Sequence, residues 1–319
     1  MLKKLGKKIW VLVFLCLLLG CQKKSQVLVM PTAASSGNLY PLGASIAGMY
    51  NKKLPDIQVS NQASNGGYDN LHLMERKEAN LSFGVSNIVY DAYYGKDIFK
   101  NHGNKDLRVI AGLYYNPNQI VVRADKGINS LKDLEGKVFA PGVHGSTTEK
   151  ETQIHLDLIG VDQEKIRFQY LGFSEAGEEI RNNQLDGAWI MAGTPAAAVT
   201  ELMTTGKVKI LNLDDGYLKV LKDHYPYYVD YCIEKGTYPG QEEDVMTSSV
   251  KMLYYTDTSL DEDTVYQLTK TFWENIDDLA ESNSALKGLK PEDALKDISG
   301  LPVHSGAMRY YKEIQEDKN

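Results

Sequence analysis

The sequence predicts an α/β fold built from two Rossmann-like lobes. Short buried strands alternate with helix patterns along most of its 319 residues, and such alternation is typical of parallel sheets covered by helices. Several strands end in loops rich in Gly, Ser, Thr and Asn that open a new helix. One pattern also occurs twice: LHLMERKEANLSFGVSN and EEIRNNQLDGAWIMAGT each give a helix, a polar turn and a buried strand. We therefore expect one βαβ unit in each lobe.

The first 20 residues predict a lipoprotein signal peptide. Lys3, Lys4, Lys7 and Lys8 precede an apolar run that is too short to span a bilayer as a helix. Leu18-Leu19-Gly20-Cys21 resembles a bacterial lipobox, which makes Cys21 the expected lipidation site. A plain signal peptide or an uncleaved anchor is the alternative. In each case the chain is exported, and 21–26 is a short tether.

Charge and cysteine content exclude several classes of protein. Without the four signal-peptide lysines, 31 basic residues face 42 acidic ones, a net charge of −11. The basic residues are scattered, so we expect no nucleic-acid partner. Cys232 is the one cysteine outside the signal and the lipobox, and its apolar surroundings indicate a small core residue.

The segment Leu131–Glu149 contains a complete ligand-presenting unit. A turn after Ser130 leads to the strand Val138-Phe139-Ala140, and then to Gly145-Ser146-Thr147-Thr148 before a helix near Glu149. Free N–H groups at a helix start, together with the helix dipole, favour an anion. Ordinary helix capping is the alternative for this loop alone.

A polar loop that opens a helix also follows the strands at 27–30, 57–61, 81–85 and 187–191. Ligands bind at such loops in open α/β sheets. No GxGxxG or GxxxxGK[ST] pattern is present, so the sequence gives no support for nucleotide phosphate.

Two segments are predicted to connect the lobes. Leu107 to Leu113 and Ile120 to Val122 are interpreted as two β runs joined by a turn at Asn116-Pro117-Asn118, and Val208 to Leu213 as a return strand. Arg123, at the end of the first connection, could reach the cleft. We expect lobe 1 to comprise 27–121 and 214–319, and lobe 2 to comprise 122–213. The last third is interpreted as structural, with one long amphipathic helix from Ser259 through Glu281.

Several motifs resemble extracytoplasmic solute receptors of the TAXI type, which serve TRAP transporters. They are SSGNLYPLG, SNGGYDNL, LRVIAGLYYNPNQIVVRADKGINSLKDLEGK with its GSTTE continuation, AGTPAAAV, HYPYYV, GTYPGQEEDV, VYQLTKTFWENIDDL and PVHSGAMRYYKE, in that order. The resemblance implies a type II periplasmic-binding fold, a monomer without cofactor, metal or catalysis, and delivery of a solute to small and large TRAP membrane subunits, expected as one fused chain. It also implies anchoring at the outer face of the cytoplasmic membrane or in the periplasm.

The resemblance also implies a set of ligand-binding residues, carried over position by position. They are Ser35, Ser36, Gly37, Asn38 and Tyr40; Ser64, Asn65, Gly66 and Gly67; Ser86 and Asn87; Tyr114, Asn116 and Gln119; Ser146, Thr147 and Thr148; and Gly193 with Thr194. None is Lys or Arg, so backbone N–H groups and hydroxyls would hold the ligand. We expect a small carboxylate-bearing solute, either an organic acid or an amino acid such as glutamate or 2-oxoglutarate.

Three other hypotheses stay open, of which one, a surface adhesin or immunogen, follows only from the predicted lipid anchor. A receptor of this fold could instead serve an ABC importer or a sensor system. A lyase or hydrolase on the same scaffold is the rival from another class, but the six histidines form no HExxH motif and no GxSxG elbow occurs.

Overall fold

The computed structural model describes residues 25–33, 35 and 39–317, and both lobes are α/β. The strands within these residues are β1 Gln26–Pro31, β2 Ile57–Gln62, β3 Ser82–Val85, β4 Leu107–Arg123, β5 Val138–Ala140, β6 Arg167–Phe168, β7 Gly187–Met191, β8 Val208–Ile210, β9 Val229–Ile233 and β10 Val245–Asp257. The α-helices are α1 Leu39–Lys53, α2 Gly67–Glu75, α3 Ser86–Tyr94, α4 Thr147–Leu158, α5 Phe173–Arg181, α6 Ala197–Met203, α7 Asp215–His224, α8 Glu262–Glu274, α9 Ile276–Ser282 and α10 Ser305–Glu316.

Two long antiparallel strands, β4 and β10, run through both halves of the molecule. Residues 107–117 of β4 pair with β10, and residues 118–123 pair with β7 and β8. The end of β10 pairs with β3 and β4, and its beginning pairs with β9. We call the part around β1–β3 the first half, and the part around β5–β8 the second half.

These strands correct two predictions about the connections. The predicted turn at Asn116–Asn118 is absent because β4 is continuous, with Pro117 opposite Ser249 at the point where β4 changes partners. A proline lacks the N–H that ladder pairing needs, which explains why NPN reads as a turn. The second crossing is β10, whereas β8, within the predicted return strand, lies beside β4 in the second half.

The two halves have separate sheet arrangements. In the first half β1 and β2 are parallel, and β3 lies antiparallel to β10. In the second half β5 pairs in parallel with both β6 and β7. The core of the second half also contains Ile233, Tyr238 and Val245, from the range predicted for lobe 1. Cys232 is exposed, so its prediction as a core residue is wrong: on β9 its side chain points to the opposite face from that of buried Ile233. The lobe boundaries stay a prediction.

The predicted long helix near the C-terminus is instead two helices. Asn275, with φ −122° and ψ 20°, ends α8 and precedes α9, so the amphipathic pattern continues across a break in the backbone. Within the described residues, no helix combines the length and apolarity that crossing a membrane requires.

Gly306→Ala is expected to lower the free energy of unfolding by about 2 kcal/mol. A Cβ at Gly306 would lie 2.2 Å from the Glu262 carbonyl oxygen and 2.6 Å from the Tyr266 nitrogen, where α10 meets α8. Urea unfolding measures the change. The matched control is Gly48→Ala in α1, where a Cβ meets nothing within 4 Å, and which should gain about 0.5–1 kcal/mol. Equal effects at both sites would contradict the tight helix contact.

Candidate functional site

The loops after the first-half strands are tied to one another. The Ser64 N–H donates to the Ala33 carbonyl at 3.1 Å, and the Ser64 hydroxyl donates to Asn70 Oδ1 at 2.6 Å. Asn70 Nδ2 in turn donates to the carbonyls of Thr32 at 2.8 Å and Phe83 at 3.3 Å. The chain segments after β1 and β2 are therefore held beside β3, as expected for loops at one edge of a sheet.

In the predicted anion-binding loop, Gly145-Ser146-Thr147-Thr148, some hydrogen-bonding groups already have partners in α4. Ser146 caps α4 by accepting the Glu149 N–H at 3.1 Å. The Glu149 carboxylate accepts the Gly145 N–H and lies 3.2 Å from His144 Nδ1. The N–H groups of Thr147 and Thr148, the first two residues of α4, have no hydrogen-bond partner within the described residues. The free donors are thus fewer than predicted.

A buried carboxylate, Glu151, links α4 to both the first half and β4. Glu151 is fully buried. Its Oε1 accepts from Asn87 Nδ2 at 2.6 Å, and its Oε2 accepts from Asn118 Nδ2 at 2.9 Å. Asn87 lies at the start of α3 and Asn118 lies on β4. One side chain therefore joins three elements.

The directions of these hydrogen bonds follow from one donor. Trp189 Nε1–H can only donate, and it lies 2.8 Å from Asn118 Oδ1. The Asn118 amide must therefore direct its Nδ2 to Glu151 and to Ser248 Oγ, 3.0 Å away. Ser248 then has its own proton for His155 Nε2, at 2.7 Å, while His155 Nδ1–H donates to the Glu151 carbonyl at 2.9 Å.

Burial changes the acidity of this cluster. Removal from water raises the pKa of Glu151 to about 7, and the hydrogen bonds from Asn118 and Asn87 oppose that rise, as does the nearby Tyr228 hydroxyl. Nearby Asp91 on α3 raises the pKa of Glu151 further, and burial raises the pKa of Asp91 itself to about 6. The Tyr228 hydroxyl lies beside Glu151 but has no hydrogen bond of acceptable geometry.

His155 is held neutral by the same burial, which lowers its pKa to about 3. Its ring centroid lies 4.8 Å from that of Trp189 and 5.1 Å from that of Tyr228, both in edge contact. His155 has no solvent exposure, and its neutral form already uses both ring nitrogens. We interpret it as a structural member of the cluster.

The structure distributes the predicted ligand residues over several environments. Asn87 joins the Glu151 cluster, while Gln119 Nε2 donates to the Ala192 carbonyl at 2.9 Å and so lies beside Gly193. The Thr194 hydroxyl lies 2.7 Å from that of Tyr231. The others described are exposed at Ser35 and Asn65, half-buried at Tyr40, Ser64, Gly66, Gly67, Tyr114, Ser146 and Thr147, and buried at Ser86, Asn116 and Thr148.

Some predicted residues cannot be placed. Ser36, Gly37 and Asn38, together with the signal peptide and Cys21, lie outside the described residues. Their roles stay predictions.

Two cationic side chains, one on β10 and one on β4, already have hydrogen-bond partners within the protein. Lys251 Nζ, on β10, donates to the carbonyls of Asp293 at 2.9 Å and Lys296 at 2.7 Å. Arg123 lies at the wrong end of the second half to reach the loop after β7, because its N–H donates to the carbonyl of Asp186, just before β7 begins. Its guanidinium binds both oxygens of Asp125.

Sequence reasoning missed Glu151, Asn118, Ser248 and His155. Glu151 and His155 are spaced i, i+4 and so share a helix face, but this spacing is also typical of exposed polar residues on a helix, and so it does not indicate burial. Asn118 was assigned to a turn. Across the described residues, no group of His, Cys, Asp and Glu is arranged to hold a metal ion.

A model of the NMT1-like family matches residues 30–314, which is most of the chain. The chain belongs to the NMT1-like family. Solved structures of similar fold include a Bordetella bronchiseptica RB50 protein, 16% identical, with a TM-score of 0.52 over 92% of this chain and 98% of that one. Xanthomonas citri XAC2383 bound to ATP is 12% identical, with a TM-score of 0.52 over 91% of this chain and 100% of that one.

The periplasmic aliphatic sulphonate binding protein SsuA from Escherichia coli is 15% identical, with a TM-score of 0.48 over 90% of this chain and 83% of that one. At these identities the likenesses show the fold alone. The predicted α/β architecture of the type II periplasmic-binding class is confirmed for this NMT1-like chain.

Proposed function

We propose that this NMT1-like chain is an extracytoplasmic receptor that holds a small solute between its two halves and delivers it to a membrane transporter. The observation that carries the proposal is the contact of Glu151 with Asn87 and Asn118. It places the helix that follows β5 directly against the helix that follows β3. On this proposal, the predicted ligand loops of the two halves lie on either side of one gap, and no catalytic arrangement is required.

For the solute we propose a small carboxylate-bearing compound. The support is the pair of N–H groups at Thr147 and Thr148, which have no partner among the residues described and lie at the start of a helix of 12 residues, where the dipole favours an anion. The Glu149 carboxylate, which already accepts the Gly145 N–H, limits that preference. Since the acceptor Glu151 lies one turn further along the same face of α4, with Asp91 of α3 nearby, a solute with an additional hydrogen-bond donor, such as an amino acid, fits as well as a plain acid.

Thr147→Pro is expected to abolish most of the rise in melting temperature that the bound solute causes. Proline at the first position of a helix removes one N–H without breaking the helix. Ser146 has φ −82° and ψ 160°, the extended conformation that a following proline requires. The wild-type protein is first screened by thermal melting against amino acids, 2-oxo acids and dicarboxylates, because a ligand of the folded state raises its melting temperature.

Thr147→Ala, which keeps the N–H and removes the hydroxyl, is the matched control and should retain more of the shift. A Thr147→Pro protein that folds and responds to the acid like the wild type would contradict the role of this amide. If no acid shifts the wild type, the carboxylate proposal fails.

For the membrane partner, an ABC importer is proposed ahead of a TRAP subunit. Among fold relatives, a Listeria monocytogenes protein is named a putative L-cystine ABC transporter. That likeness concerns the fold, so transport must decide between the partners. Uptake into vesicles with the cognate membrane subunits should require ATP for an ABC importer, and an ion gradient for a TRAP transporter.

A further inference from the structure

Two consecutive residues of α4 contact the first half, one at the surface and one in the interior. Lys150 Nζ lies 3.0 Å from Asp97 Oδ1, and both side chains are about one-third exposed. Glu151 contacts Asn87 in the fully buried region. Asn87 is the second residue of α3, and Asp97 follows the end of that helix. The first turns of α4 therefore contact the N-terminal turn of α3 and the segment that follows its C-terminus.

The contact between Glu151 and Asn87 has a high desolvation cost, which an apolar contact at the same place would not have. A buried carboxylate with two neutral amide donors loses much of its hydration, and apolar residues of similar volume often stabilise a core at least as well. Asn87 Oδ1 is also buried without a partner in the described structure, which carries its own desolvation cost. A contact of this cost is better explained by a function than by stability.

The contact lies one helical turn from the proposed solute loop. Glu151 follows Thr147 by four residues, so the two lie on one face of α4. Helices move as rigid units, so a solute that fixes the first turn of α4 also fixes the position of Glu151. Asn118 connects that position to β4, and Ser248 connects it to β10, the two strands that run through both halves.

We infer that Glu151 is a positioning residue whose hydrogen bond to Asn87 latches the two halves together and couples closure to occupancy of the Ser146–Thr148 loop. The coupling to a solute rests on the proposed function; the latch itself does not. Glu151 needs no contact with the solute. The Lys150–Asp97 ion pair, exposed to solvent, adds little.

The test measures closure with and without solute. Small-angle X-ray scattering gives the radius of gyration of the wild type, Glu151→Gln and Asn87→Ala, with circular dichroism to confirm folding. Without solute, both variants should have a larger radius of gyration than the wild type. Asp157→Asn, at an exposed position on the same helix, is the matched control and should leave the radius unchanged.

With a solute from the melting screen, both variants should bind about tenfold more weakly, the value of one lost charge-assisted hydrogen bond, and the loss should appear in the dissociation rate. Folded variants with a wild-type radius and wild-type dissociation rate would overturn the latch. If Glu151→Gln does not fold, Asn87→Ala decides, because it leaves the Asn118 contact in place. If no solute is found, the proposed function fails, whereas the radius without solute still decides whether the latch exists.

Discussion

Asn118→Ala is expected to lower the free energy of unfolding by roughly 4 kcal/mol, the sum of several unpaired buried polar groups at about 1–3 kcal/mol each. The variant leaves the Trp189 indole N–H without an acceptor and Glu151 Oε2 without a donor. Ser248 also loses the donor to its oxygen. No exposure to water compensates for these losses, because Asn118, Trp189 and Glu151 are almost fully buried.

Guanidinium unfolding followed by circular dichroism measures this cost. Asn182→Ala, an exposed position just after α5, is the control and should change stability by less than about 0.5 kcal/mol. A cost for Asn118→Ala below about 1 kcal/mol would mean that water enters the cluster and replaces the lost partners.

The α/β fold could be predicted because most of its elements have local signals. Apolar triplets such as Val138-Phe139-Ala140 and hydroxyl residues before helices define strands and helix starts without reference to the rest of the chain. The continuity of β4 could not be predicted. Pro117 reads as a turn locally, and only its place at the change of pairing partners makes it tolerable in a strand.

The loops of the candidate site have local sequence signals, but its interior has none. Loop composition indicates helix starts and free N–H groups, whereas Asn87 is a predicted ligand residue through the family resemblance. Glu151 and Asn118 have partners 64 and 33 residues away along the chain, and no local pattern specifies such distances. A charged residue inside a helix is usually exposed, so its burial depended on which surface α4 packs against.

The pH dependence of stability offers a test of the whole cluster, because His155 and Glu151 contribute with opposite sign. The pKa of His155 falls from 6.5 in the unfolded chain to about 3 in the folded one. Its contribution is present above pH 6.5 and is lost as the pH falls toward 3, because the unfolded chain then binds the additional proton. By the relation of 1.36 kcal/mol per pKa unit, the full loss is about 5 kcal/mol.

Glu151 behaves the other way. Its pKa rises from 4.5 to about 7 on folding, so its contribution is most favourable below pH 4.5 and is lost as the pH rises to 7, by roughly 3 kcal/mol. Between pH 4.5 and 6.5 the two effects oppose each other in the native protein. Asp91, with a pKa of about 6, adds to the Glu151 side. Its own titration cancels from the comparison with His155→Gln, while its charge is one cause of the raised Glu151 pKa and so belongs to the comparison with Glu151→Gln.

We therefore expect two difference curves of opposite slope when the free energies of unfolding of the wild type, His155→Gln and Glu151→Gln are measured by urea from pH 3 to 8. The stability of the wild type relative to His155→Gln should increase with pH between 3 and 6.5, and relative to Glu151→Gln it should decrease between 4.5 and 7. Each substitution also has a pH-independent cost from altered hydrogen bonds, which shifts the whole difference curve by a constant free energy and does not change its slope. Two flat curves would mean that both groups titrate as they do in water, and that the interior joining the two halves is hydrated.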